Sequence, residues 1–144
     1  MNVYADTSVL IAWFHADDLF AKQVTPWVQK NVTDFIWNSV LRAEVRHNLR
    51  QLDTSYARAA WNALRATEVS GRLNIGREKL SQLIDAADDL SAEKATMIPA
   101  GTWDYFHVAA ALAAEADCFA TCDQLQGDLA KASGGFREVK LFKG

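Results

Sequence analysis

Four carboxylates stand out in this sequence by where they fall. Asp6 closes the short run Asn2–Ala5, and Asp123 closes Cys118–Cys122, both of strand length and strand composition. In a parallel α/β sheet, ligands bind beyond the carboxyl ends of the strands, where the strand order reverses. If these two strands are neighbours at that point, both acids face one crevice. Glu44 and Asp104 sit early in helical stretches instead. In Ser39–Leu52 the apolar stripe is Leu41, Val45, Leu49 and Leu52, and Glu44 lies near one edge of it, away from Arg42 and Arg46. Asp104 opens Trp103–Ala116, just after a Thr102 cap. Together the acids would make a negative pocket able to keep a metal beside a polyanion.

Each acid also has a plainer reading. Asp6 and Asp123 suit the N-caps of the helices that follow them. Glu44 could be an ordinary solvated helix residue, and Asp104 could simply complement the positive end of its helix, which stabilises by roughly 0.3–1 kcal/mol. His107 lies one turn after Asp104. With no second D-x-x-H in the chain, it reads as a packed, hydrogen-bonded histidine rather than a ligand.

The elements that must position these residues follow from the hydrophobic pattern. Strands are expected at Asn2–Ala5, Asp34–Trp37, Arg72–Ile75, Cys118–Cys122 and Glu138–Phe142. Helices are expected at Thr7–Phe14, Asp18–Lys30, Ser39–Leu52, Ser55–Val69, Glu78–Lys94, Trp103–Ala116 and Gln124–Ala132, with Ser39 and Thr54 or Ser55 as caps and Gly134–Gly135 as a stop. Alternating strands and helices predict an α/β fold, with a mostly parallel five-stranded sheet covered on both faces. The 144 residues hold only two prolines and no Gly/Ser-rich linker, so one domain over residues 1–144 is expected.

Composition narrows the class. The chain is 50% hydrophobic and 23% charged, with a net charge of -3, which excludes a uniformly basic nucleic-acid coat. No apolar stretch spans a bilayer and no secretion signal is evident, so no membrane attachment is expected. Cys118 and Cys122 make no disulfide framework, and the chain reads as cytoplasmic with reduced thiols. The charge is segregated. Residues 42–79 carry eight basic side chains against four acids, whereas residues 80–128 carry one against nine. A positive rim beside a negative pocket is one reading of this; ordinary solvated helix faces are the other.

The stretches YADTSVLIAWF, NSVLRAEV, PAGTWDYFHVAAAL and FATCDQLQGDLA bring D-T-S, a helical Glu, D-x-x-H-x-A-x-A and T-x-D-x-x-Q-x-x-L-A into order along the whole chain. In this the sequence resembles the PIN-domain family, and within it the VapC-type toxins of bacterial toxin–antitoxin systems. The resemblance implies a three-layer α/β/α sandwich whose acids hold Mg²⁺ or Mn²⁺ and cut RNA. It carries the catalytic roles onto Asp6, Glu44, Asp104 and Asp123, with Asp6, Asp104 and Asp123 as metal ligands and Thr7, Ser8 and Thr121 as supporting hydroxyls. It also implies a homodimer and a cognate antitoxin. One position departs from the pattern: Gln126 stands where some members carry a further acid.

The chemistry is consistent with those residue types. Hydrolysis of a phosphodiester needs a nucleophile and relief of developing negative charge, and a divalent ion supplies both. Hard ions prefer oxygen ligands, and the chain has no Cys/His set for structural zinc. Arg42, Arg46, Arg50 and Arg58 are candidates to steer RNA. The helical region from Ser39 to Val69 could supply a dimer face or a groove for a partner. Two rivals remain at this point. A phosphatase or phospho-receiver would want acids that Ser8 and the distant Asp17–Asp18 pair do not supply. A non-enzymatic α/β interaction module would use its acids only to bind a basic partner.

Overall fold

The first strand needs no long sequence, because it is paired on both sides. In the computed structural model, which describes residues 1–52 and 54–144, β1 (Asn2–Ala5) is the centre of the sheet. It is followed by α1 (Thr7–Phe14), α2 (Ala21–Asn31), β2 (Asp34–Trp37), α3 (Ser39–Arg50), α4 (Thr54–Val69) and β3 (Leu73–Ile75). The second half comprises α5 (Leu80–Lys94), α6 (Thr102–Ala113), β4 (Cys118–Thr121), α7 (Gln124–Ser133) and β5 (Glu138–Leu141). The strand order is β3-β2-β1-β4-β5, and every pairing is parallel. The expected "mostly parallel" sheet is thus parallel throughout the described residues.

The topology fixes the layers. From β1 to β3 the chain steps one way across the sheet, and from β3 through β4 to β5 it returns and continues the other way. Right-handed crossovers therefore put α1–α4 on one face and α5–α7 on the other. Contacts agree: α1 packs on α2, α3 and α4, whereas α6 packs on α5 and α7. The strand order reverses between β1 and β4, whose residues Tyr4 and Phe119 are opposite each other. Val3, Tyr4, Phe35, Trp37, Cys118 and Phe119 are buried between the helical layers with Leu10, Leu41, Val45, Val108 and Leu129.

Several ends differ from the expected ones, each for a local reason. Ser39 is not the cap of α3; Asn38 is, its side chain accepting from the Leu41 N–H at 2.9 Å. That helix stops at Arg50 rather than Leu52, because the Gln51 and Leu52 N–H groups tighten onto carbonyls three residues back. Asp18 does not begin α2. Its side chain accepts from the Phe20 N–H at 2.9 Å, making a turn before the helix starts at Ala21. The cap of α6 is Gly101 rather than Thr102, and the helix ends at Ala113 because Glu115 adopts φ +55°. Helix α5 begins at Leu80, where Gln82 reaches back to the Lys79 N–H at 3.0 Å. Thr54 and Ser55, expected as caps, are the first two residues of α4.

Candidate functional site

A cavity of about 630 Å³ opens at the carboxyl ends of β1 and β4. Its lining includes Asp6, Thr7 and Ser8 from the start of α1, Glu44 from α3, Asp104 and His107 from α6, and Asp123 and Gln126 from the start of α7. All four sequence-selected acids therefore reach one cavity, from four separate segments. Thr121 is fully buried beneath it.

The two strand-end acids also cap the helices that follow. Asp6 Oδ1 accepts from the Val9 N–H at 3.1 Å and from Ser8 Oγ at 2.5 Å. Asp123 Oδ1 accepts from the Gln126 N–H at 2.9 Å. Capping and cavity lining coexist because a strand end that becomes a helix start places the cap residue at the mouth of the sheet. Burial pushes the Asp6 pKa up, against hydrogen bonds from Ser8, Thr121 and the Val9 N–H that pull it down; the net direction is up. Asp104 Oδ2 accepts from the Gly101 N–H at 2.9 Å, so this acid does complement its own helix start. Its Oδ1 accepts from Gln126 Nε2 at 3.2 Å. Gln126 Oε1 in turn lies 2.8 Å from Thr121 Oγ1. The residue that departs from the family pattern is thus a neutral bridge between two parts of the acidic wall.

Glu44 is not an ordinary surface glutamate. Thr7 Oγ1 donates to its Oε2 at 2.8 Å, and His107 Nε2 lies 3.1 and 3.0 Å from its two oxygens. Burial raises the Glu44 pKa, but the hydrogen bonds from His107 and the Thr7 hydroxyl pull it down, and the net direction is below the usual value. His107 is packed and hydrogen-bonded, as its position suggested, with only 3% of its surface exposed. Its Nδ1 lies 2.8 Å from Tyr4 Oη, which accepts from Asn38 Nδ2 at 2.8 Å. Sequence reasoning missed Tyr4 and Asn38. The available signal was that one precedes the Asp6 strand end closely and the other immediately follows β2.

The donor chemistry suits a hard cation, since the wall offers carboxylate and hydroxyl oxygens. Among the described residues no three His, Cys, Asp or Glu side chains converge closely enough to hold a metal ion as they stand. Asp104 is already engaged by Gln126, so a cation at this wall would compete with the Gln126–Asp104 bond.

Arg42 and Arg46 do not line the acidic cavity. They lie against α4, with their guanidinium carbons 5.8 and 4.5 Å from the centre of the Trp61 ring. Arg42 Nε is also 4.0 Å from Glu68. Arg46, Arg50 and Arg58 surround a second, smaller groove floored by Leu49, Leu52, Ala57 and Trp61. Leu52 lines both cavities, so the basic groove adjoins the acidic one. Of the tryptophans, Trp37 is buried in the core, and Trp103 is 54% exposed at the cavity wall. No helix among the described residues is long and apolar enough to cross a membrane.

Comparison with solved structures aligns this chain with the crystal structure of FitAcB from Neisseria gonorrhoeae, at a TM-score of 0.65 and 16% identity over 99% of this chain and 96% of that one. At that identity the likeness is one of fold. A sequence search of curated proteins found no match. The PIN domain family model, however, matches residues 3–132, which takes in both strand-end acids, Glu44, Asp104 and the whole cavity wall. The chain belongs to the PIN domain family.

Proposed function

We propose that this protein is a Mg²⁺- or Mn²⁺-dependent endoribonuclease, the toxin of a toxin–antitoxin pair. The observation that carries this reading is that four acids from four distant segments line a single cavity in a PIN-domain chain. Asp6, Asp104 and Asp123 would hold the cation, which when bound supplies an activated water and charge relief at phosphate. Glu44, kept ionised by Thr7 and His107, takes the proton from the water that attacks phosphorus in line. The P–O3′ bond breaks, leaving a 5′-phosphate on one fragment and a 3′-oxygen that takes a proton from solvent to become the 3′-hydroxyl. Ser8 and Thr121 hold the Asp6 carboxyl in place from opposite oxygens.

Arg46, Arg50 and Arg58, which line the adjoining basic groove, are assigned to steering the RNA backbone toward the cavity, with Arg42 one turn before Arg46 over the Trp61 ring. A cognate antitoxin with an Arg or Lys side chain would compete for the acidic cavity, and the protein would act in the cytoplasm as a homodimer. The decisive assay incubates mixed single-stranded RNA with the wild type and with Asp6→Asn, with Mg²⁺, with Mn²⁺ and with chelator. Cleavage only by the wild type with metal is expected. RNA left intact by the wild type under every metal condition overturns the nuclease reading and leaves the binding-module one.

A further inference from the structure

The buried polar groups around Glu44 form a chain in which every donor can be assigned. Asn38 Oδ1 accepts from the Leu41 N–H, which fixes the amide and aims its NH₂ group at Tyr4 Oη. The Tyr4 oxygen is therefore occupied as an acceptor. Its own proton must go elsewhere, and the partner within reach is His107 Nδ1 at 2.8 Å. Nδ1 then carries no proton, because a ring nitrogen that accepts is unprotonated. The imidazole proton resides on Nε2, aimed at Glu44.

From this one-way chain, we infer that His107 is a positioning residue for Glu44, locked as the neutral Nε2–H tautomer by Asn38 and Tyr4. Two aromatic rings lie against the imidazole, Tyr4 and Phe106, with ring centroids at 6.0 and 5.3 Å. With Thr7 donating to Oε2, the Glu44 carboxylate is oriented by two groups from two different elements. A second-layer hydrogen bond of this kind fixes both the tautomer and the direction of the group it serves. The chain's origin at a main-chain N–H makes the direction independent of solvent. The catalytic consequence rests on the nuclease reading above; the tautomer does not.

The test is long-range ¹H–¹⁵N correlation on ¹⁵N-histidine-labelled protein, with His107 assigned among the three histidines by its loss in His107→Gln. An unprotonated Nδ1 and a protonated Nε2 are expected at neutral pH. Asn38→Asp keeps an acceptor for the Leu41 N–H but turns a second acceptor toward Tyr4. The phenolic proton is then drawn away from His107, and the Nδ1 signal should move toward the protonated range. In RNA cleavage with metal, Asn38→Asp and Tyr4→Phe should lower kcat roughly 10–100-fold with little change in KM. His107→Gln, which retains a donor, should be faster than His107→Leu.

A Nδ1–H tautomer or a doubly protonated ring at neutral pH overturns the proposal. So does wild-type kcat in a folded Asn38→Asp variant. A wild type that cleaves no RNA removes the nuclease reading instead, and the nitrogen signals alone then decide the proposal.

Discussion

The hydroxyl of Thr121, beside Asp6, has more acceptors in reach than it has protons. Thr121 has one hydroxyl proton but two acceptors, Asp6 Oδ2 at 2.6 Å and Gln126 Oε1 at 2.8 Å. A proton on Asp6 resolves the conflict, because Asp6 then donates to Thr121 and Thr121 to Gln126. This agrees with the upward push that burial gives its pKa. A carboxyl whose folded pKa is raised contributes stability that is full below the ordinary 3.8 and is lost as pH rises through the folded value. Asp6→Asn supplies the same donor without the charge. In the metal-free protein it should raise the thermal midpoint at neutral pH and flatten the fall of stability with pH, while reducing metal-dependent RNA cleavage by about 100-fold or more. A lower midpoint at neutral pH would contradict the neutral-acid account. Cys122, at the same wall, has its thiol pushed up to about 12, chiefly by burial. It should react with a thiol reagent at pH 8 far more slowly than a free cysteine, because little of it is thiolate, which timed alkylation will measure. The acids were legible in the sequence because strand ends and helix starts are local features. The Asn38–Tyr4–His107 partnership was not, since its links join residues 34 and 103 positions apart.

Helix ends do double duty in this fold. Asp6, Asn38 and Asp123 each follow a strand, cap a helix and belong to the cavity or to the residues behind it. Asn38→Ala removes the Leu41 cap and the donor to Tyr4 together. It should destabilise the chain by about 2 kcal/mol, at the upper end for a lost cap, whereas Asn38→Asp should cost less; urea unfolding distinguishes them. At the far end of α7, Gly134 closes the helix in the left-handed region at φ +71°. Gly134→Ala should cost about 1–2 kcal/mol without affecting the cavity. The alternation of strand and helix was readable from hydrophobic periodicity, and it led to the correct sheet type. The ends of α2, α3 and α6 were not, because they depend on which side chain turns back to the main chain. Glu115 illustrates the limit: nothing in the Ala-rich pattern before it announces a left-handed residue.

At the scale of the molecule, two adjoining cavities differ in character, one lined by acids drawn from several segments and the other by Arg46, Arg50 and Arg58. Helix α3 divides them, with Glu44 on one side and Arg46 and Arg50 on the other. If the basic groove carries the RNA backbone, the double variant Arg50→Ala/Arg58→Ala should weaken binding of a non-cleavable single-stranded RNA. It should also reduce the slope of log K against log salt by about 1–2, read by fluorescence anisotropy. An unchanged slope would place the RNA elsewhere. The order of strands has a further result. β1 is made first, yet its Asp6 N–H bonds to Ala120 O, and Thr121 meets Asp6 across 115 positions. During translation the growing polypeptide therefore carries Asp6 and Glu44 long before Asp123 and its strand exist to complete the cleft. The cleft closes only after β4 has been added beside β1.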